Sequence, residues 1–207
     1  MYPQYLRRAF QGFPRILLAL AGVTGLAAAG STRQDADLLK QKVSAIIEIG
    51  AVSSRSPRQP QRTMLTENEL NAYLALDAAQ DLPTGVVEPS VSILGPGRVA
   101  GRAVVDLDAV KRDQPPRGLL DPRRLLVGRL PVTATGGLQT SNGIGRFSLE
   151  SAAVGGIPMP KPVLQEILSY YTRTAERPEG LSLDDPFVLP SNIREIQVDR
   201  GQAIVIQ

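Results

Sequence analysis

A two-residue hydrophobic period, broken by tight turns, constrains this chain more than any other pattern. Apolar and polar residues alternate over 87–93 and again over 99–107, with Gly-Pro-Gly at 95–97 between the two stretches. A strand shifted by one residue in its pairing would turn its apolar side to water, so the alternation fixes the register of a hairpin. The predicted pairs are Ile93 with Val99, Val91 with Gly101, and Val87 with Val105.

Two more hairpins follow. Asn142-Gly143 is the strongest short-range signal for a two-residue turn. A third hairpin joins 193–199 to 202–206, and its last strand is apolar on both sides, which is typical of a covered strand. For the second hairpin the predicted pairs are Leu138 with Phe147, Gly136 with Leu149, Ala134 with Ser151, and Val132 with Ala153.

Three segments have the period of a helix. Residues 35–50 carry apolar side chains at three- and four-residue spacing. Residues 67–76 follow Thr66, and Glu69 stands three positions later, which together predict a capping box. In the third helix, at 161–172, Pro162 lies in the first turn. Its apolar stripe consists of Val163, Leu164, Ile167, Leu168 and Tyr171.

These elements predict an α+β fold in which an antiparallel sheet has one face covered by helix. Residues 53–62 are rich in Ser, Pro and Arg and read as a linker, and 109–130 reads as a long loop. The predicted division is a signal segment at 1–30, a helix with its linker at 31–62, and a single domain at 63–207.

The first thirty residues predict export. Arg7, Arg8 and Arg15 precede an apolar run at 16–27, and small residues at 27–30 suit a signal peptidase. The run is shorter than the roughly 20 residues of a membrane span. We therefore expect an exported protein, periplasmic or otherwise extracytoplasmic, with retention of 1–30 as an inner-membrane anchor left open.

Charge and composition exclude several classes of function. The chain has 23 Lys and Arg against 20 Asp and Glu; three of the cations lie in the signal, which has no acidic residue, so the remainder has 20 of each sign. A neutral domain with five Tyr, four Phe and no Trp gives no reason to expect nucleic-acid binding.

The chain contains neither cysteine nor histidine. This excludes disulfides, a lipidated N-terminal cysteine, Ser-His-Asp and Cys-His catalysis, and zinc sites of the usual kind. Only carboxylate chemistry, Ser-Lys pairs and oxygen-ligated cations remain.

Two carboxylate pairs are the candidates for such chemistry. Asp106 and Asp108 lie two positions apart on one strand, and Asp184-Asp185 precede a proline. Nearby Lys and Arg residues favour solvated ion pairs over a calcium site or a glycosidase pair. We therefore expect no enzyme activity, no metal and no cofactor.

One face of the predicted sheet carries small residues, which leave room for something to approach the backbone closely. One interpretation is that the helix at 161–172 packs there, and the other is an apolar groove that admits an acyl chain. The residues concerned are Gly101, Ala103, Ala134, Gly136, Ser151 and Ala153.

The order of landmarks resembles a group of small bacterial envelope proteins, those of the LmeA, YpmS and YceB types. The landmarks are TENELNAYL at 66–74, GIPMPKPVL at 156–164, and LPSNIREIQV at 189–198 before a closing apolar strand. The resemblance implies a curved antiparallel sheet of hairpins wrapped on a long helix, a half-barrel of the tubular lipid-binding (TULIP) kind. It also implies a lipid ligand.

We therefore expect a lipid or acyl chain to bind in an apolar groove between the sheet and the 161–172 helix, with the envelope membrane surface as a further partner. The alternative is a structural or assembly protein of the envelope that acts through protein–protein contacts, tethered or not by 1–30. The groove residues expected are Val91, Ile93, Val99, Val105, Leu138, Phe147, Leu149, Leu164, Ile167, Leu168 and Tyr171.

Overall fold

The structure, a computed structural model, describes residues 32–53, 59–109, 128–172 and 177–207. Three predicted segments lie wholly or largely outside the described residues: the signal at 1–30, the central part of the 53–62 linker and most of the 109–130 loop. The structure does not test what was predicted for them.

All three predicted helices are present. They are α1 (Arg33–Ser53), α2 (Glu67–Leu76) and α3 (Lys161–Thr172). The capping box of α2 is confirmed, since the Thr66 hydroxyl accepts a hydrogen bond from the Glu69 N–H at 3.3 Å and the Glu69 carboxylate accepts one from the Thr66 N–H at 3.1 Å. A short 3₁₀ helix, Ala78–Gln80, follows α2.

Nine strands form two antiparallel sheets among the described residues. A six-stranded sheet has the order β2-β3-β4-β5-β6, with β7 also paired to β5, and a three-stranded sheet has the order β1-β9-β8. The strands are β1 (Arg62–Thr66), β2 (Val86–Gly95), β3 (Arg98–Asp106), β4 (Arg129–Ser141), β5 (Ile144–Val154), β6 (Ile157–Pro158), β7 (Phe187–Val188), β8 (Glu195–Asp199) and β9 (Gln202–Ile206).

The α+β class and the antiparallel pairing are thus as predicted, but the hairpins do not share one sheet. The third hairpin, β8–β9, pairs with β1, which the sequence analysis did not predict. Met64 and Leu65 are adjacent apolar residues, so β1 lacks the alternation that marked the other strands. The strand β9 is central in this sheet, and its Val205 and Ile206 are buried.

The first hairpin keeps the predicted register only near its turn. Val91 lies opposite Gly101 and Ile93 opposite Val99, as predicted. Farther from the turn, Val87 pairs with Val104 and not with Val105, because a bulge intervenes. Within it Glu88 has a φ of 51°, a conformation that side chains rarely adopt.

The second hairpin shows the same behaviour. Leu138 pairs with Phe147 and Gly136 with Leu149, as predicted, around an Asn142-Gly143 turn in which both residues have positive φ. A second bulge then shifts the pairing by one residue. Ala134 lies opposite Ala152 and Val132 opposite Val154, where the prediction gave Ser151 and Ala153.

Backbone and side-chain hydrogen bonds join the two sheets. The Thr140 hydroxyl on β4 accepts from the Ile196 N–H at 2.7 Å and donates to its carbonyl at 3.0 Å, along the edge of β8. The Gly97 N–H also donates to the Val198 carbonyl at 3.0 Å. The third hairpin is therefore held against the turn of the first.

Helix α1 packs into the same core. Its Ile46 is buried with Leu189, Ile193 and Val205 in one hydrophobic cluster. At its C-terminal end, the Asn192 side-chain amide donates to the Gly50 carbonyl at 2.6 Å. The helix that the predicted division assigned to 31–62, apart from the domain at 63–207, thus supplies part of the core.

Candidate functional site

An apolar cavity of about 310 Å³ lies between the two N-terminal helices and the two sheets. Its wall consists almost entirely of apolar atoms contributed by α1, α2, the 3₁₀ turn and strands of both sheets. Ligand pockets in proteins usually measure about 300–1,000 Å³. An apolar cavity of about 150 Å³, half the volume of the cavity here, can hold a benzene ring. The volume suffices for part of an aliphatic chain.

The spacing of apolar residues explains why both helices face the cavity. On α1, Leu39, Val43 and Ile46 recur at four- and three-residue intervals, which places them on one side of the helix. On α2, Leu70 and Leu74 are four residues apart and also line the wall. The sheets complete the enclosure.

Five of the eleven residues predicted for a groove line this cavity. Val105 and Leu149 are half-buried elsewhere on β3 and β5, and Leu164 and Leu168 are half-buried on α3 without lining it. Ile167 and Tyr171 belong to α3, but their side chains are outside the described ones. The five on the wall are Val91, Ile93, Val99, Leu138 and Phe147.

The helical half of the wall differs from the prediction. The predicted groove lies under α3, whereas the described residues of α-helices that line the cavity belong to α1 and α2. The stripe on α1 was visible as an amphipathic pattern, but such a pattern does not identify the surface that it covers. The residues missed on these two helices are Leu39, Val43, Ile46, Ile47, Leu70, Tyr73 and Leu74.

Helix α2 is hydrogen-bonded to the outer edge of β2. The Asn71 side chain accepts from the Val91 N–H at 2.7 Å and donates to the Val91 carbonyl at 2.8 Å, and the Glu67 carboxylate accepts from the Ile93 N–H at 2.6 Å. Four residues of helix rise about 6 Å and two residues of strand about 6.6 Å, so the two spacings match. At Val91 and Ile93 this edge of the sheet is therefore hydrogen-bonded without another strand.

An ion pair fixes α1 to α2 beside the cavity. Glu69 is only 6% exposed, and both its carboxylate oxygens lie near Lys42 Nζ, at 2.6 and 2.8 Å. The same carboxylate closes the capping box, so its buried charge has a cation and a backbone donor. Glu69 thus links α1 to α2 and caps the N-terminus of α2.

A second charged group joins the same helices at the other end of α2. Asp77 accepts from Arg33 at 2.8 Å and lies 2.7 Å from Lys40 Nζ. Burial opposes ionisation of Asp77, but the hydrogen bonds from Lys40 and Arg33 outweigh it and hold the pKa of that carboxyl below its ordinary value. In turn Asp77 raises the pKa of Lys40.

Among the described residues that line the cavity, those with polar side chains are Tyr73, Asp81 and Ser191. The Tyr73 hydroxyl donates to Asp81 Oδ2 at 3.0 Å. Burial, followed by the neighbouring Asp81 carboxylate, raises the pKa of the Tyr73 hydroxyl above its ordinary value. Both residues are half-buried, so the polar part of the wall also meets solvent.

The carboxylates considered for catalysis lie in ordinary local interactions. Asp106 accepts from the Ala109 N–H at 2.9 Å and lies 3.5 Å from Arg129, and Asp184 pairs with Lys161 at 2.7 Å. Within the described ranges, no group of three or more acidic residues is arranged to hold a metal ion.

The small-residue face has more than one explanation. Gly136 lies under the Phe147 ring, and a side chain there would overlap the ring and approach the Ser148 carbonyl to 2.6 Å. Gly101 lines the cavity, whereas Ala103 and Ala134 are buried in the sheet. Close packing against Phe147 and the wall of the apolar cavity therefore share this face.

No protein-family model, curated protein or solved structure matches this chain. In the described part of the chain, no helix combines the length and the apolar character that crossing a membrane requires.

Proposed function

We propose that this protein binds a lipid, or the acyl chain of one, in the cavity between α1, α2 and the sheets. The observation that carries the proposal is the almost purely apolar wall around about 310 Å³ of space. Each methylene moved from water into such a wall contributes about 0.8 kcal/mol. Six to eight methylenes would therefore give useful affinity without any specific polar contact.

The packing of the core supports the same proposal. Among the described hydrophobic residues, only Ala36 and Ala72 have no exposed area, and no large side chain is completely enclosed. Protein interiors are normally packed to the density of organic crystals, so a core without a completely enclosed large side chain fits a hollow centre. A ligand would restore the missing contacts.

The resemblance to envelope lipid-binding proteins and the predicted N-terminal signal support a proposed setting outside the cytoplasm. The proposed setting is the bacterial envelope, with a TULIP-like curved sheet and a non-enzymatic carrier role. The TENELN stretch at 66–71 positions one helix of the cavity wall, since three of its polar side chains hold α2 against α1 and β2.

A protein–protein assembly role is the second candidate. Val188 on β7 is 71% exposed, and its partner Ile144 on β5 is 40% exposed, so the two apolar side chains are neighbours on the surface. Contiguous exposed apolar side chains can mark a contact surface. This candidate would be favoured by self-association of a protein whose cavity stays empty.

The test is binding of the neutral fluorophore N-phenyl-1-naphthylamine by the full chain. Val99→Phe and Val43→Phe place a larger side chain in the cavity, and each should weaken binding about tenfold or more. Val188→Phe makes the same change at an exposed site and should leave binding unchanged. Circular dichroism and thermal unfolding verify that all three variants fold.

Mass spectrometry of lipids extracted from the exported protein identifies the natural ligand. A reproducible lipid in the wild type, reduced in Val99→Phe and retained in Val188→Phe, is the expected result. Protein that carries no lipid and does not bind the fluorophore would refute the proposal.

A further inference from the structure

Asp81 stands out on the wall because it is the one charged residue among the described residues that line the cavity. It follows the 3₁₀ turn, is half-buried, and lies beside Tyr73. The position therefore borders both the apolar cavity and solvent, which is where the polar end of an amphiphile would rest.

No cation neutralises Asp81 among the described residues. The two basic side chains at this end of α1, Arg33 and Lys40, form their ion pairs with Asp37 and Asp77. The hydrogen bond that Asp81 does receive comes from the Tyr73 hydroxyl. Since a carboxylate has about four acceptor sites, it retains the capacity to accept from a ligand.

The charge and the hydrogen-bonding capacity of this carboxylate set the ligand chemistry that it favours. A ligand carboxylate or phosphate at the same place would put a second negative charge beside the half-buried Asp81 carboxylate, which is unfavourable. An alcohol or an ammonium group can donate a hydrogen bond to Asp81 and brings no negative charge.

We propose that Asp81, oriented by Tyr73, makes the cavity selective for amphiphiles whose polar end donates a hydrogen bond and carries no negative charge. This inference rests on the proposed function, because it assumes that an aliphatic chain occupies the cavity. It assigns Asp81 as the residue that determines head-group specificity.

The experiment uses three ligands with the same chain: dodecylamine, dodecan-1-ol and dodecanoate. Each displaces N-phenyl-1-naphthylamine from the full-length protein at pH 7.5, below its aggregation concentration. For the wild type we expect dodecanoate to bind about tenfold more weakly than the alcohol, and the amine to bind at least as tightly as the alcohol.

Two variants isolate the carboxylate. Asp81→Asn removes its charge and should bring dodecanoate to within about threefold of the alcohol. Asp199→Asn makes the same change on an exposed residue outside the cavity and should keep the wild-type ranking.

The results separate the two proposals. Absence of displacement by all three ligands, together with absence of fluorophore binding, would refute the cavity as a binding site. Equal affinity of the wild type for all three would leave lipid binding in place and overturn the role of Asp81. That second result needs no variant, so it holds even if Asp81→Asn does not fold.

Discussion

Asn71 takes the place of a neighbouring strand at the edge of β2. Its side-chain amide offers one donor and one acceptor, and both are used on the backbone of Val91 at 2.8 and 2.7 Å. Because these backbone groups are half-buried under α2, losing Asn71 would leave a donor and an acceptor without partners.

We expect Asn71→Ala to lower the free energy of unfolding by about 2–3 kcal/mol, the cost of two unmade hydrogen bonds with partly buried partners. Asn68→Ala is the matched control, since Asn68 is exposed on the same short helix, and it should change stability by less than about 0.5 kcal/mol. Urea denaturation measures both variants. Equal effects would mean that helix propensity, and not the contact with β2, sets the stability here.

Residues that act on their own chain neighbours were predictable, and residues that act across the fold were not. Thr66 and Glu69 formed a capping box as the sequence indicated, because both partners lie within one helical turn. Nothing local distinguishes Asn71 from Asn68, yet only Asn71 faces β2. In the same way, the position of Asp81 on the cavity wall depends on packing between distant segments.

The β4–β5 hairpin shows how a missing side chain shapes an element. Phe147 lines the cavity, and its ring lies across Gly136 on the adjacent strand. At the next residue, Gly137, an added Cβ would lie 3.0 Å from the flexible Ser148 hydroxyl and in ordinary contact with the Gly97 carbonyl oxygen at 3.9 Å. Two consecutive glycines therefore differ in what a methyl group would meet.

We expect Gly136→Ala to destabilise the protein by about 2–3 kcal/mol, because the methyl group would overlap the Phe147 ring and approach the backbone of Ser148. Gly137→Ala should lie within about 1 kcal/mol of the wild type, since strand propensity offsets a small shift of one hydroxyl. Thermal unfolding compares the pair. Similar losses in both would contradict the assignment of Phe147 to the space above Gly136.

The helices and hairpins with a strong local sequence pattern formed where predicted. The same pattern did not predict which other elements they pair with or pack against. The turns at 95–97 and 142–143 fixed the register close by, but the bulges at Glu88 and near Glu150 changed it farther along the strands. The helices at 35–50 and 161–172 are both amphipathic in sequence, so periodicity could not decide which of them faces the cavity.

The helix α1 connects parts of the fold that are distant in sequence and closes the cavity between them. Its Lys42 binds Glu69 on α2, and its Ile46 carbonyl accepts from the Gln207 side chain at 2.8 Å. At its last turn Gly50 contacts the backbone of Ser191 so closely that an added Cβ would lie 2.8 Å from the Ser191 Cα. The described structure therefore depends on a glycine where a helix would favour alanine.

Gly50→Ala tests this dependence because two effects of opposite sign compete. Helix propensity alone would stabilise the variant by about 1 kcal/mol. The methyl group would overlap the Ser191 backbone, which cannot rotate away as a side chain can, so we expect a net loss of about 1–2 kcal/mol. Hydrogen exchange should show faster opening at the C-terminal end of α1. The variant should also bind the fluorophore more weakly, because α1 forms one wall of the cavity. Ala51→Gly, at an exposed site on the same turn, should cost about 1 kcal/mol through propensity alone and leave binding intact. A more stable Gly50→Ala protein would show that α1 does not close on the Pro190–Asn192 segment in solution.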